Sequence, residues 1–422
     1  MTDIAAATTA GALPRYPGPS LAEVEEARRV VSAVAELTPM ETSRYLSDIL
    51  GAPVLLKAEN LQRTGSYKIR GAYYRMSRLT ADERAHGVVA ASAGNHAQGV
   101  AFAARELGIR ATIFMPVGVA LPKLQATRHY GADVVLRGHT FDESRRAAQE
   151  HATATGAVFI PPFDHPDVIA GQGALALDIL DQVPDLETIV VPIGGGGLIS
   201  GVATVLKQRA SAEGRSIRVI GVQAANAAAY PASLAAGEPT AITMTPTIAD
   251  GIAVAKPGKL NFAIIRETVD EVVTVDDDDI ARAMLVLLER AKLVVEPAGA
   301  VGVAAVITGR IRATGKTVVV LSGGNIDPLI MERVISHGLA ASERYLKLRI
   351  PLPDRPGQLA RTSEIVASQN ANVVEVLHTR HGSGLQISQV ELELHIETRG
   401  PEHAEQVLTA LREAGYDPRR TL

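Results

Sequence analysis

Between residues 54 and 321 short β-branched runs alternate with stretches of helical length. The runs at 54–57, 88–91, 112–115, 134–136, 158–160, 189–193, 219–222 and 318–321 read as strands. Segments such as 96–107 and 121–130 lie between them with helical spacing. That alternation predicts an α/β fold with a mainly parallel sheet, in which ligands gather at the C-terminal ends of strands. Upstream, Ser20 and Glu23 form a capping box for a helix that carries Leu21, Val24, Val30, Val31, Val34 and Leu37 and ends at Thr38-Pro39. Residues 1–19, rich in Ala, Thr, Gly and Pro, read as a mobile arm. After about residue 343 the pattern changes. A strand at 345–352, the turn Pro353-Asp354-Arg355-Pro356-Gly357, a helix with Leu359, Ile365 and Val366, strands at 373–378 and 387–396 and a helix at 404–414 make a βαββα order. This predicts a small α+β module with its own antiparallel sheet over 344–422, set after a larger domain over 20–343.

Composition narrows the function. A chain of 422 residues exceeds the roughly 250 to 300 at which one core stops growing. Lys and Arg number 42 against 46 Asp and Glu, a net charge of -4 without a basic block, which excludes nucleic acid as the expected partner. The absence of cysteine removes disulfides, thiolate metal sites and cysteine nucleophiles together. Met1-Thr2-Asp3-Ile4 lacks the features of a signal peptide, and the longest apolar run, 298–307, is too short for a bilayer. A cytoplasmic enzyme without a membrane partner is the expectation.

Candidate chemistry starts at Ser66-Tyr67-Lys68-Ile69-Arg70-Gly71-Ala72, where a lysine stands between a glycine-bearing loop and an apolar helix start. A lysine drawn out of water has its charged form disfavoured, and its amine becomes a nucleophile toward an aldehyde. An isolated lysine there would more commonly snorkel to solvent. Three other stretches change that balance. Gly194-Gly195-Gly196-Gly197-Leu198 follows a strand and opens a helix, so its backbone N–H groups close on an anion. It lacks the Lys-Ser/Thr ending of a triphosphate loop and the spacing of a dinucleotide fingerprint, which leaves a single small phosphate; a tight turn needs fewer glycines. Ser92-Ala93-Gly94-Asn95-His96 and Ser322-Gly323-Gly324-Asn325 also leave strands and offer polar donors, although helix capping alone would account for either serine. His96 has no partner at metal-ligand spacing, and Asp276 to Asp279 fit a helix dipole better than a metal. A nucleophilic lysine, a phosphate cradle and two donor loops together suit pyridoxal phosphate.

These stretches, with Ala249-Asp250-Gly251 and Glu296-Pro297-Ala298-Gly299, closely resemble the threonine dehydratases (threonine ammonia-lyases) of the tryptophan-synthase-β fold type, over about residues 20–340. The resemblance implies two lobes of mainly parallel sheet. It implies that Lys68 carries the cofactor, Asn95 meets its ring oxygen, Gly194 to Leu198 hold its phosphate, Ser322 meets its ring nitrogen, and Ser92, Ala93, Gly94 and His96 receive the substrate. A hydroxyl at the ring nitrogen makes a weaker electron sink than a carboxylate, which favours prompt β-elimination of threonine to 2-oxobutanoate and ammonia, with serine secondary. Asp354-Arg355-Pro356-Gly357-Gln358-Leu359 resembles the ACT modules that bind small amino acids. That implies an isoleucine or valine effector, a role in isoleucine biosynthesis, and a homo-oligomer, dimer or tetramer. With Pro418 among the residues after 414, the last strand of a βαββαβ module is expected to be short or missing. Serine racemase shares most of these motifs, but it has a serine where this chain has Ala93, and it binds a divalent ion through carboxylates absent from 222–229. No divalent metal is therefore expected, and a monovalent ion on backbone oxygens stays open. A degradative dehydratase, or a non-enzymatic amino-acid sensor, are the remaining alternatives.

Overall fold

A computed structural model describes residues 16–312, 315–380 and 388–421. Most of the proposed mobile arm, residues 1–15, lies outside the described residues. In chain order the strands of the first compact unit, which runs through Asp327, are β1 (Met40–Thr42), β2 (Val54–Lys57), β3 (Val88–Ala91), β4 (Ala111–Met115), β5 (Asp133–Leu136), β6 (Val158–Phe159), β7 (Thr188–Pro192), β8 (Arg218–Ala224), β9 (Glu271–Val275) and β10 (Thr317–Val320). They form two sheets. One has the order β1-β2-β10-β7-β8-β9, parallel except for the edge strand β1, and the other has the order β5-β4-β3-β6, parallel throughout. Every strand expected from the pattern is present within one or two residues. The expectation omits β1 and β9, both edge strands: β9 is half-buried along most of its length, so its residues carry a weaker apolar signature than the buried runs of β7 and β10.

The capping box forms as read, with Ser20 accepting from the N–H of Glu23, but the helix closes at Val31 and not at Thr38. Ser32 caps it, Val34 remains buried and Leu37 is exposed. Each sheet has its own core. Ile189, Val191, Val202 and Val318 sit in one; Ile69, Val100, Ile113 and Ile160 sit in the other. The helix Lys68–Ser77 belongs to the second core and crosses the helix Pro166–Gln182 where Gly71 meets Gly171. A methyl group on Gly171 would stand 2.7 Å from the Gly71 Cα, so only paired glycines permit this approach.

The second compact unit starts at Pro328 and takes in the helix Pro328–Ala341, which the pattern change at residue 343 does not announce. Its strands β11 (Tyr345–Pro353), β12 (Asn372–Thr379), β13 (Gln389–Glu397) and β14 (Arg419–Thr421) form an antiparallel sheet in the order β12-β13-β11-β14. The helices Gln358–Ser368 and Pro401–Glu413 complete a βαββαβ order over a core that includes Leu348, Ile350, Leu392 and Val407. The last strand is short, and it begins directly after Pro418, so the missing N–H stays outside the ladder. Among the described residues, no helix is long and apolar enough to cross a membrane.

Candidate active site

Lys68 is the first residue of the helix Lys68–Ser77, and the chain enters it through Thr64 and Gly65, both at positive φ. The residues just before it are zipped to the loop after β10. Tyr67 N–H donates to the Ser322 carbonyl (3.2 Å), Gly324 N–H to the Gly65 carbonyl (2.9 Å), and Ser66 bridges Gly323. The Lys68 stem is half-buried, and its Nζ donates to the Pro162 carbonyl at 3.0 Å. The adjacent Phe163 abuts the glycine loop: a methyl group on Gly195 would stand 2.4 Å from the Phe163 ring. Two consecutive residues therefore join the lysine to the loop that was read as a phosphate cradle. Neither was anticipated. Their signal was positional, since they leave β6 as the other site loops leave their strands, but they carry no glycine signature.

The glycine loop has the donors that an anion needs. Among the described residues, none of the backbone hydrogen bonds outside helices and strands takes its N–H from Gly194, Gly195, Gly196, Gly197 or Leu198, which lead into the helix Gly197–Ala212. The opposite side of the loop is packed tight. The Tyr230 hydroxyl donates to the Gly195 carbonyl (3.1 Å), and a methyl group on Gly196, whose φ is +100°, would lie 2.1 Å from that hydroxyl. Gly196→Ala is expected to destabilise the protein by about 1–3 kcal/mol through overpacking and a strained φ, and to release cofactor on dialysis. Denaturation curves and the visible absorbance of the dialysed protein check this.

The remaining candidates surround the same space. Ser92 accepts from Gly94 N–H at 3.1 Å, a local turn bond of the capping kind. Ala93 and Gly94 are half-exposed, and nothing lies within 4 Å of where a Gly94 methyl would stand, so this loop faces open space. Asn95 begins the helix Asn95–Leu107. Its amide donates to Glu296 Oε1 (2.6 Å), and its carbonyl oxygen accepts from Asn325 (2.8 Å). His96 was expected beside the substrate. Its ring is instead buried and donates from Nε2 to the Ile160 carbonyl at 2.9 Å, behind the loop. Burial, and then the charge of Lys68, push its pKa down to about 3, so the ring is neutral. Ser322 is buried at the strand end with its carbonyl engaged. The run Asp276–Asp279 does cap a helix: Asp276 accepts from Asp279 N–H at 2.8 Å.

The residues fit pyridoxal phosphate on two observations of the structure. One is the row of unengaged donors in the glycine loop. The other is the buried Ser66 hydroxyl, two residues from Lys68, which has no partner among the described residues and would be an unfavourable orphan without a ligand or water to meet it.

Residues 31–323 match the family model described as "Pyridoxal-phosphate dependent enzyme". A protein of Thermotoga maritima named L-threonine ammonia-lyase is 47% identical over 95% of this chain and 99% of its own length. The Escherichia coli K12 protein named L-threonine dehydratase catabolic TdcB is 44% identical over 72% of this chain and 92% of its own. Among solved structures, maize serine racemase superposes with a TM-score of 0.72 at 33% identity, covering 77% of this chain and 99% of that one. With the family model spanning both parallel sheets, the chain belongs to the pyridoxal-phosphate dependent enzymes.

Proposed function

We propose that this enzyme deaminates L-threonine to 2-oxobutanoate and ammonia by β-elimination, with L-serine as a secondary substrate. The observation that carries the site assignment is the junction at Pro162-Phe163, which sets the Lys68 amine beside the glycine loop. Support for the substrate is the resemblance, along nearly the whole chain, to the Thermotoga lyase.

Pyridoxal phosphate, when bound, supplies an aldehyde for a lysine amine and an electron sink that acidifies the substrate Cα–H and lets a β-hydroxyl leave. In our reading Lys68 would hold the cofactor through its aldehyde, and its Nζ would take up the Cα proton of the substrate. Its flanking bonds to Ser322 and Gly324 restrict where that amine travels. Gly194 to Leu198 would grip the phosphate through backbone N–H groups at a helix N-terminus. Asn95 would hold the ring oxygen and Ser322 the ring nitrogen. Ser92, Ala93 and Gly94 receive the substrate carboxylate on the open side of their loop, and His96, neutral and tied to Ile160, holds that loop from behind.

We assign the second unit to the ACT-like modules on its βαββαβ order and antiparallel sheet, and we give it an inhibitory amino-acid effector, isoleucine or valine, in a homo-oligomer serving isoleucine synthesis. The E. coli relative is called catabolic, and its match spans 308 residues, close to the length of the first unit alone. The deciding experiment is an assay of keto-acid formation from threonine and serine, with and without isoleucine and valine. Threonine is expected to be the better substrate and isoleucine to inhibit. Turnover indifferent to both amino acids would remove the regulatory role, and D-serine as the main product from L-serine would favour the racemase reading that the maize neighbour suggests.

A further inference from the structure

We propose that Glu296 is a positioning residue of this site, whose carboxyl orients the Asn95 amide, and through it the Asn325 amide, at the ring end of the cofactor. This rests on the site assignment above.

The geometry carries it. Glu296 is the N-cap residue of the helix Pro297–Ile307, yet its side chain makes no capping bond. It is 6% exposed and reaches instead across to Asn95, taking the amide at 2.6 Å. Asn95 in turn accepts from Asn325, whose amide also donates to the Thr64 carbonyl at 2.6 Å. A methyl group on Gly323 would stand 2.4 Å from Glu296 Oε1, so the carboxyl is pressed against the loop that carries Ser322. Four segments distant in sequence thus converge on one carboxyl: the lysine loop, the Asn95 helix start, the Ser322 loop and the Glu296 helix. An amide has two ends, and a buried carboxyl that takes the N–H₂ end decides which end the asparagine turns to its other neighbours.

The charge of this carboxyl is poised. Burial, and then the nearby Asp250, push its pKa up to about 7, against the Asn95 hydrogen bond and the positive charges of Lys123 and Lys68. Lys123 and Asp250 are themselves paired at 2.7 Å. Among the titratable groups acting on it, Asp250 is the one that opposes its ionisation. A carboxyl raised in this way binds a proton in the folded state at pH values where the unfolded chain has lost it. Its burial therefore lowers stability progressively from its ordinary pKa up to about pH 7, and fully above that.

The test uses Glu296→Gln and Glu296→Ala in the holoenzyme, with the visible cofactor absorbance and the cofactor dissociation constant read at about pH 6 and about pH 8. Glutamine keeps an acceptor for Asn95 but cannot ionise. It is expected to hold cofactor within about 3-fold of wild type at the lower pH and to lose the wild-type inflection of the absorbance near neutrality; alanine should weaken cofactor binding about 10-fold at both values. In the apoprotein, the melting temperature of wild type should fall relative to Glu296→Gln as the pH rises toward about 7, and level off above it. A glutamine variant that titrates like wild type, loses cofactor equally at both pH values, or melts in parallel with wild type overturns the proposal. None of these measurements involves threonine, so a wrong substrate assignment would leave them unaffected.

Discussion

Lys68→Ala is expected to abolish keto-acid release, by roughly 10³-fold or more, and to remove the visible absorbance of the lysine-bound cofactor. The change should leave the fold intact. Alanine is the strongest helix former, Lys68 stands at a helix start, and the lost side-chain hydrogen bond is a single one to the Pro162 carbonyl. A more discriminating variant is Lys68→Arg. Arginine preserves the positive charge and can still donate to Pro162, but its guanidinium stays protonated and is not a nucleophile. If Lys68 acts as an amine, arginine fails as completely as alanine. If it only supplies a positive charge to the site, arginine retains much of the rate. A keto-acid assay combined with an absorbance spectrum of each variant decides between the two, and normal turnover in either would refute the assignment.

The loops that leave strands were readable because glycine and polar residues in sequence mark close backbone approach and exposed donors. Gly194 to Leu198 and Ser92 to Asn95 each lead from a strand into a helix. The partners that complete the site were harder to see. Pro162-Phe163 carries no special composition, and its role appears only once Phe163 is found against Gly195 and the Pro162 carbonyl against Lys68. Glu296 stood inside a recognisable motif, but nothing in its neighbours foretells that it turns from its own helix to an asparagine 201 residues away. His96 shows the converse. A histidine in a donor loop looks like a substrate ligand, and only the packing of its helix reveals that the ring points into the protein. Local pattern thus marks most of the buried strands, while the pairing of buried polar groups depends on which elements tertiary packing brings together.

Arg70 illustrates that dependence and gives the second large expected effect. Two residues beyond Lys68, its guanidinium is 2% exposed and binds Glu59 bidentately, at 2.8 and 2.9 Å, and Asp178 at 2.8 Å. Glu59 also accepts from Thr38 at 2.6 Å, and Arg28 takes the other oxygen of Asp178 at 2.9 Å. Burial alone would raise the Glu59 pKa, but the charge and hydrogen bonds of Arg70 override it and hold the carboxyl below its ordinary value. Lys57, in the same buried region, donates to the Thr38 carbonyl and to Gln182 Oε1, each at 2.7 Å, and so does not stand in for a lost guanidinium. Arg70→Met should then strand the Glu59 carboxylate in the interior, leave Asp178 with Arg28 alone, and destabilise the first unit by about 3–5 kcal/mol, whereas replacing Arg70, Glu59 and Asp178 together with apolar residues of similar volume should recover most of that loss. Urea denaturation of the single and triple variants checks this. Because the network ties the helix that begins at Lys68 to the segment after β2 and to the helix Pro166–Gln182, the triple variant should fold and yet hold its lysine less firmly, with kcat falling more than stability. A single variant within about 1 kcal/mol of wild type would mean that water reaches these charges, and that the position of Lys68 is set by glycine packing at Gly71 alone.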